Sequence, residues 1–171
     1  DTNNASVGNG LIVKYAAKLV KAGKTHEEVL SGINKAIEKT QIYVVLDSLD
    51  SAVKGGRLNP TIKLISDFFN LKPIMSIKKD GSLGAIGAMW GKKNVVKKIS
   101  KSIIKKMNSH KKYDIAIAHS VCEENAELLR KILYEKCSNI KSISILELGC
   151  ALGSHTGSGT LAIGIQEHLP N

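Results

Sequence analysis

The sequence predicts a mixed α/β fold, a sheet with an antiparallel hairpin flanked by helices, and three observations point to it. Hydrophobic residues make up 43% of the 171 residues but aromatics only 4%, so the core must be built from Val, Ile, Leu and Ala. Stretches with the 3.6-residue period of helices alternate with short β-branched runs. Two such runs are separated by Asp80-Gly81, a strong signal for an antiparallel hairpin.

In chain order, DTNNASVGNG reads as a polar loop, and LIVKYAAKLVKAG carries apolar spacing for a helix near 9–22, with Gly23 as a natural C-cap. Thr25 and Glu28 have capping-box spacing and open a second helix to about Lys39. IYVVLDSL is a buried-strand run, followed by a short helical stretch and the turn KGGRLNP. Residues 60–70 read as a helix, and KPIMSIK and SLGAIGAM as strands. A helix near 92–108, strand YDIAIAH, a helix near 122–137, strand SISILEL, a glycine-rich loop and a last strand TLAIGIQ complete the chain. Helix-only sequence gives way to strand at Thr40. Residues 1–40 are therefore expected to belong to, or bridge from, a preceding domain, and 41–171 to form one α/β domain.

No apolar run approaches the roughly 18 residues of a membrane-spanning helix, and no signal-peptide pattern is present. Cys122, Cys137 and Cys150 are odd in number and lack metal-ligand spacing, so reduced thiols and a cytoplasmic location are expected. The chain begins at Asp1 and not at an initiator Met, which reads as a fragment.

The stretch GCALGSHTGSGTLAIG, residues 149–164, concentrates chemistry. Its glycines permit close approach of backbone to a ligand, and Ser154, Thr156, Ser158 and His155 are donors suited to a carboxylate or phosphate. A phosphate-binding P-loop would need Lys-Ser/Thr and a following helix, but here a strand follows. The dinucleotide fingerprint fails on spacing, and the hydrolase elbow G-x-S-x-G is absent. By itself the motif is also compatible with a tight loop bearing a surface histidine.

In VLDSLDSAVKGGRLNP a strand ends at Asp47 and a Gly55-Gly56 turn presents Arg57, the residue best suited to gripping a carboxylate or phosphate in a fork. Taken alone, a surface arginine after a turn explains it as well. Residues 91–112 hold nine lysines and no acid, so most of the net charge of +10 sits there. Val95, Val96, Ile99, Ile103 and Met107 recur at helical spacing, which makes the lysines an ordinary solvated face. A partner compatible with Lys-rich 92–112 is an anionic membrane surface, met transiently. Nucleic acid is not expected, since Arg57 and Arg130 are the only arginines and no aromatics interleave with the lysines. His119 ends a strand where clefts often open, although a core or capping role is the commoner one. No His, Cys, Asp or Glu group has metal spacing, so neither metal nor cofactor is expected.

In order along the chain, the opening thirty residues, YVVLDSLDSAVKGGRLN, FFNLKPIMSI, IAIAH and ELGCALGSHTGSGTLAIG closely resemble the DegV family of fatty-acid-binding proteins. The resemblance implies a DegV-like sheet and a lipid-binding protein, not an enzyme. It implies a long-chain fatty acid held with its carboxylate at an interdomain cleft and its tail in an apolar tunnel, for presentation to a separate ATP-dependent fatty acid kinase. It further implies that His155 reaches the carboxylate, with Ser154, Thr156 and Gly157 of the same loop, and that Arg57 lies close to the head group or the kinase-facing surface. The family's N-terminal T-D-S-x-x-D domain is absent from these residues, Ser154 and Ser158 stand where members often have Thr and Pro, and MWGKK replaces a segment often richer in arginine. Two other readings compete: a small phosphoryl- or acyl-transfer enzyme using His155, and a basic nucleic-acid-binding domain.

Overall fold

The computed structural model describes residues 1–78, 81–91 and 93–170. Asp80 of the expected hairpin turn and Lys92 of the lysine-rich stretch lie outside them. The elements are α1 (Ser6–Lys21), α2 (His26–Glu38), β1 (Thr40–Val45), α3 (Asp50–Lys54), α4 (Pro60–Phe68), β2 (Leu71–Ile77), β3 (Leu83–Trp90), α5 (Val95–Lys106), β4 (Tyr113–His119), α6 (Glu123–Lys136), β5 (Ile140–Glu147), α7 (Cys150–Thr156) and β6 (Leu161–Glu167).

Local chemistry accounts for most boundaries. The Thr25 side chain accepts from the Glu28 amide while Glu28 accepts from the Thr25 amide at 2.8 Å, a complete capping box that starts α2. Asn59 caps α4, accepting from Thr61, and Pro60 fills the first helical position. Two elements differ from the sequence expectation. α1 begins at Ser6, inside the segment read as a polar loop, because burying Val7 and Gly8 against the sheet outweighs the low helix propensity of Gly8 and Gly10. The glycine-rich loop contains α7, where Cys150, Ala151 and Leu152 carry the turn and Gly157, at φ 76, ends it.

The six strands form one sheet in the order β3-β2-β1-β6-β4-β5. β2 and β3 pair antiparallel, as the hairpin reading requires, and the β4–β5 pair is parallel with α6 as its crossover. Alternate residues of each strand serve opposite faces. One face presents Tyr43, Val45, Ile115, Ile117, Leu161, Ile163 and Ile165 to Val96, Ile99 and Ile103 of α5 and Ala126, Leu129 and Leu133 of α6. The other presents Ile42, Ala116, Ala118 and Ala162 to Val7 and Leu11 of α1. Behind α1, α2 packs its Ala36 against Ile12, Tyr15 and Leu19. Among the described residues no helix is long and apolar enough to cross a membrane.

Candidate functional site

At the sheet end where β1 stops and β6 begins, two segments run antiparallel past one another. Segment 47–57 leaves β1, forms α3 and turns back through the glycine pair; segment 155–159 closes α7 and enters β6. They approach closely at three points. A Cβ on Gly159 would lie 2.6 Å from the Cβ of Asp47, one on Gly157 would lie 3.1 Å from Ser51 Oγ, and one on Gly55 would lie 2.5 Å from His155 Nδ1. A side chain at the first point would have to push Asp47 away, and one at the last would have to displace the His155 ring, so glycine is what lets the two segments close together as they do. Gly159 also has φ 77, a left-handed conformation that other residues adopt at a cost.

This packing brings His155 and Arg57 to one corner. The half-buried His155 imidazole lies against Gly55, and the exposed Arg57 donates from Nη1 to the Gly55 carbonyl at 2.6 Å. Ser154 Oγ donates to the Ala151 carbonyl at 3.1 Å and Thr156 Oγ1 to the Leu152 carbonyl at 3.0 Å, so in this conformation both hydroxyl protons face their own helix. The Gly157 amide likewise donates to Gly153. Below them, the buried Thr160 donates to the carbonyls of Thr156 and Gly157, and the Gly159 amide donates to Ser120 at 2.7 Å, fixing the turn from the β4 side.

An apolar groove of about 550 Å³ runs from α7 along β4 and β5 beneath α1, lined by Val7, Leu11, Ala116, Ala118, Leu146 and Leu152 among others. Its size is in the range of roughly 300–1,000 Å³ usual for small-molecule sites. Leu152 lines it, and His155 follows three residues on, on the same side of α7. The groove was not anticipated residue by residue. Its signal lay in IAIAH, where Ala116 and Ala118 alternate with isoleucines and leave one face of the strand with small side chains.

The other residues singled out in the sequence fall elsewhere. His119 is buried at the end of β4 with its Nδ1 unpartnered among the described residues, a core position rather than a cleft. Cys150 and His155 are five residues apart on α7, about 140° around its axis, so they do not form a nucleophile–base pair. Burial pushes the Cys122 and Cys137 thiols up from their ordinary values, which disfavours the reactive thiolate. Among the described residues nothing hydrogen-bonds or ion-pairs with His155, and no three acidic, His or Cys side chains gather as a metal ion would need. The α5 lysines Lys97, Lys101, Lys105 and Lys106 are exposed opposite the buried Val96, Ile99 and Ile103.

Comparison with known proteins bears on this arrangement. A family model described as "Uncharacterised protein, DegV family" matches residues 1–168. A DegV domain-containing protein of Clostridium perfringens is 36% identical over 163 residues, which cover 95% of this chain and 56% of that protein. A fatty acid binding DegV family protein from Streptococcus agalactiae superposes with a TM-score of 0.84 at 28% identity, over 99% of this chain and 59% of that one. A DegV family protein from Thermus thermophilus, whose structure is described in terms of fatty acid binding, superposes at 0.87 and 26% identity, over 98% of this chain and 60% of that one. The chain thus spans somewhat more than half the length of these relatives.

Proposed function

The chain belongs to the DegV family, and from that premise we propose that it is part of a carrier that holds one long-chain fatty acid and passes it to a separate ATP-dependent kinase, without catalysing a reaction itself. The observation that carries this reading is the junction of the two site segments. They set His155 and Arg57 on one glycine, and Leu152, one turn before His155 on α7, lines the apolar groove.

The chemistry follows from what a fatty acid is. Each methylene taken out of water contributes about 0.8 kcal/mol, so a tail of roughly fifteen contributes on the order of 10 kcal/mol before ordering costs. The groove supplies the affinity. A carboxylate at its head loses hydration and needs donors in return. His155 Nε2 and the Arg57 guanidinium offer them, and Ser154 and Thr156 add theirs once their hydroxyls rotate away from the helix carbonyls.

A lipid cargo must also be collected. Leu64 and Phe68 of α4 are 70% and 83% exposed, Trp90, paired with Leu71 just after α4, is 69% exposed, and the Lys98 ammonium is bonded to the Trp90 carbonyl, joining the end of β3 to α5. Aromatic tips beside lysines suit transient contact with an anionic membrane surface.

Native mass spectrometry of the gently purified chain, before and after organic extraction, tests the carrier reading. A stoichiometric, extractable mass of a long-chain fatty acid is expected. An empty chain, with the longer protein empty as well, overturns it, as does turnover of acyl or phosphoryl substrates by the chain alone.

A further inference from the structure

A lysine stands almost wholly buried beside the site. Lys72, the second residue of β2, is 6% exposed, and its Nζ lies 2.7 Å from Oδ1 of Asp47, whose side chain is 68% exposed. Burying an ammonium is costly, and a single ion pair with a mostly solvated carboxylate repays it poorly as a contribution to stability.

The register explains why these two residues meet. β1 pairs with β2 at Val44↔Met75 and with β6 at Val45↔Leu161. Continued past the end of β1, both ladders put Asp47 between Lys72 on one side and Gly159 on the other. The contacts agree, since Asp47 bonds Lys72 and its Cβ fills the place where a Gly159 side chain would stand. Lys72, Asp47 and Gly159 therefore form one cross-strand row at the base of the two packed segments, and His155 stands at their far end on Gly55. The Gly159 amide is tied to Ser120 on the opposite side, so Asp47 is the stop against which the turn rests.

We propose that Lys72 is a positioning residue: by holding Asp47 against Gly159 it fixes the turn that sets the His155 imidazole for its ligand. The proposal rests on the carrier reading for its consequence, but its geometry can be tested without ligand. The chain has five histidines, and the ring Cε1–H signal of His155 is assigned by its loss in His155→Ala. In Lys72→Met, which keeps the apolar stem, that signal shifts and fatty-acid affinity in the full-length protein falls about tenfold, the size of one charge-assisted hydrogen bond. Lys72→Arg restores both. In the His155→Ala background Lys72→Met costs no further affinity, because it acts through a group already gone. Asp47→Ala, at an exposed position, repeats the signal shift if Lys72→Met folds poorly. An unmoved His155 signal in both variants overturns the proposal, and so does an equal affinity loss with and without His155. If the parent protein binds no fatty acid, the carrier reading fails while the ring signal still decides the role of Lys72.

Discussion

The two faces of the sheet are made by alternate residues of the same strands, yet they are filled differently. Towards α5 and α6, β4 and β6 present Ile115, Ile117, Leu161, Ile163 and Ile165, and the facing helices return Ile99, Ile103, Leu129 and Leu133, all of them 7% exposed or less. Towards α1 the same strands present Ala116, Ala118 and Ala162, and a groove of about 550 Å³ remains. Fully burying a leucine or isoleucine contributes about 1.5–3 kcal/mol, so a chain under selection for stability alone would have filled that groove. The contrast teaches that stability is concentrated on one face, which leaves the other free to keep room for a ligand.

The largest effect that would test this division is on the filled face. Leu129→Ala, at a fully buried position, should cost about 2–5 kcal/mol of stability, read as a shift of the urea midpoint, with bound fatty acid still present in the fraction that remains folded. The opposite test fills the groove. Gly10 lines it from α1, and a Cβ there would meet nothing within 4 Å. Gly10→Leu should raise helix propensity by about 0.8 kcal/mol while displacing roughly four methylenes of the tail, a loss of about 3 kcal/mol in binding and a shift towards shorter acids, measured by competition between acids of graded length. If that variant lost stability and kept its ligand, the division between the faces would be broken.

At His155 and its seat on Gly55 the effects are smaller. His155→Ala should weaken binding by about 2 kcal/mol, well below the tail contribution, with little change in melting temperature because the ring is half-buried and hydrogen-bonds to no described residue. Gly55→Ala should reproduce part of that loss with His155 intact, since the new methyl would stand 2.5 Å from its Nδ1. Equal affinity of Gly55→Ala and the parent, measured by titration calorimetry, would mean that the ring's seat does not matter.

How much of this was legible in the sequence differs between the faces as well. The filled face was readable, because Val96, Ile99 and Ile103 fall at helical spacing and IYVV and YDIAIAH are β-branched runs. The start of α1 was not, because Gly8 and Gly10 argue locally for a loop and only burial against the sheet reverses that preference. The candidate site was half legible. His155 and Arg57 stood out by residue type, and a family resemblance joined them, but nothing local says that residue 55 meets 155. That meeting depends on strand order, since β1 and β6 are neighbours only after the whole chain has folded back. Lys72 was invisible for a different reason. A lysine in a strand run reads as an edge or solvent position, and its burial beside Asp47 follows from two ladders at once.

The smallest effect lies on the α1 side but at the far end of the strands, and that makes it a useful control. At the opposite end of the sheet Asp114 of β4 accepts from Ser142 of β5 and lies 2.5 Å from His168 Nδ1 just after β6, so one carboxylate ties three strands together. Burial pushes its pKa up, but the Ser142 and His168 hydrogen bonds and the His168 charge outweigh that and hold it below the ordinary carboxylate value. A carboxyl depressed on folding binds protons more readily when unfolded. It therefore contributes its stability above the unfolded value near pH 4, and loses it as pH falls through the lower folded value. Asp114→Asn should thus lower stability modestly at neutral pH and flatten its decline below about pH 4, as followed by thermal melts across that range. Because Asp114 stands at the strand ends and does not line the groove, fatty-acid affinity at neutral pH should be unchanged; a fall in affinity would show that strand register at this end is transmitted along β4 to the groove.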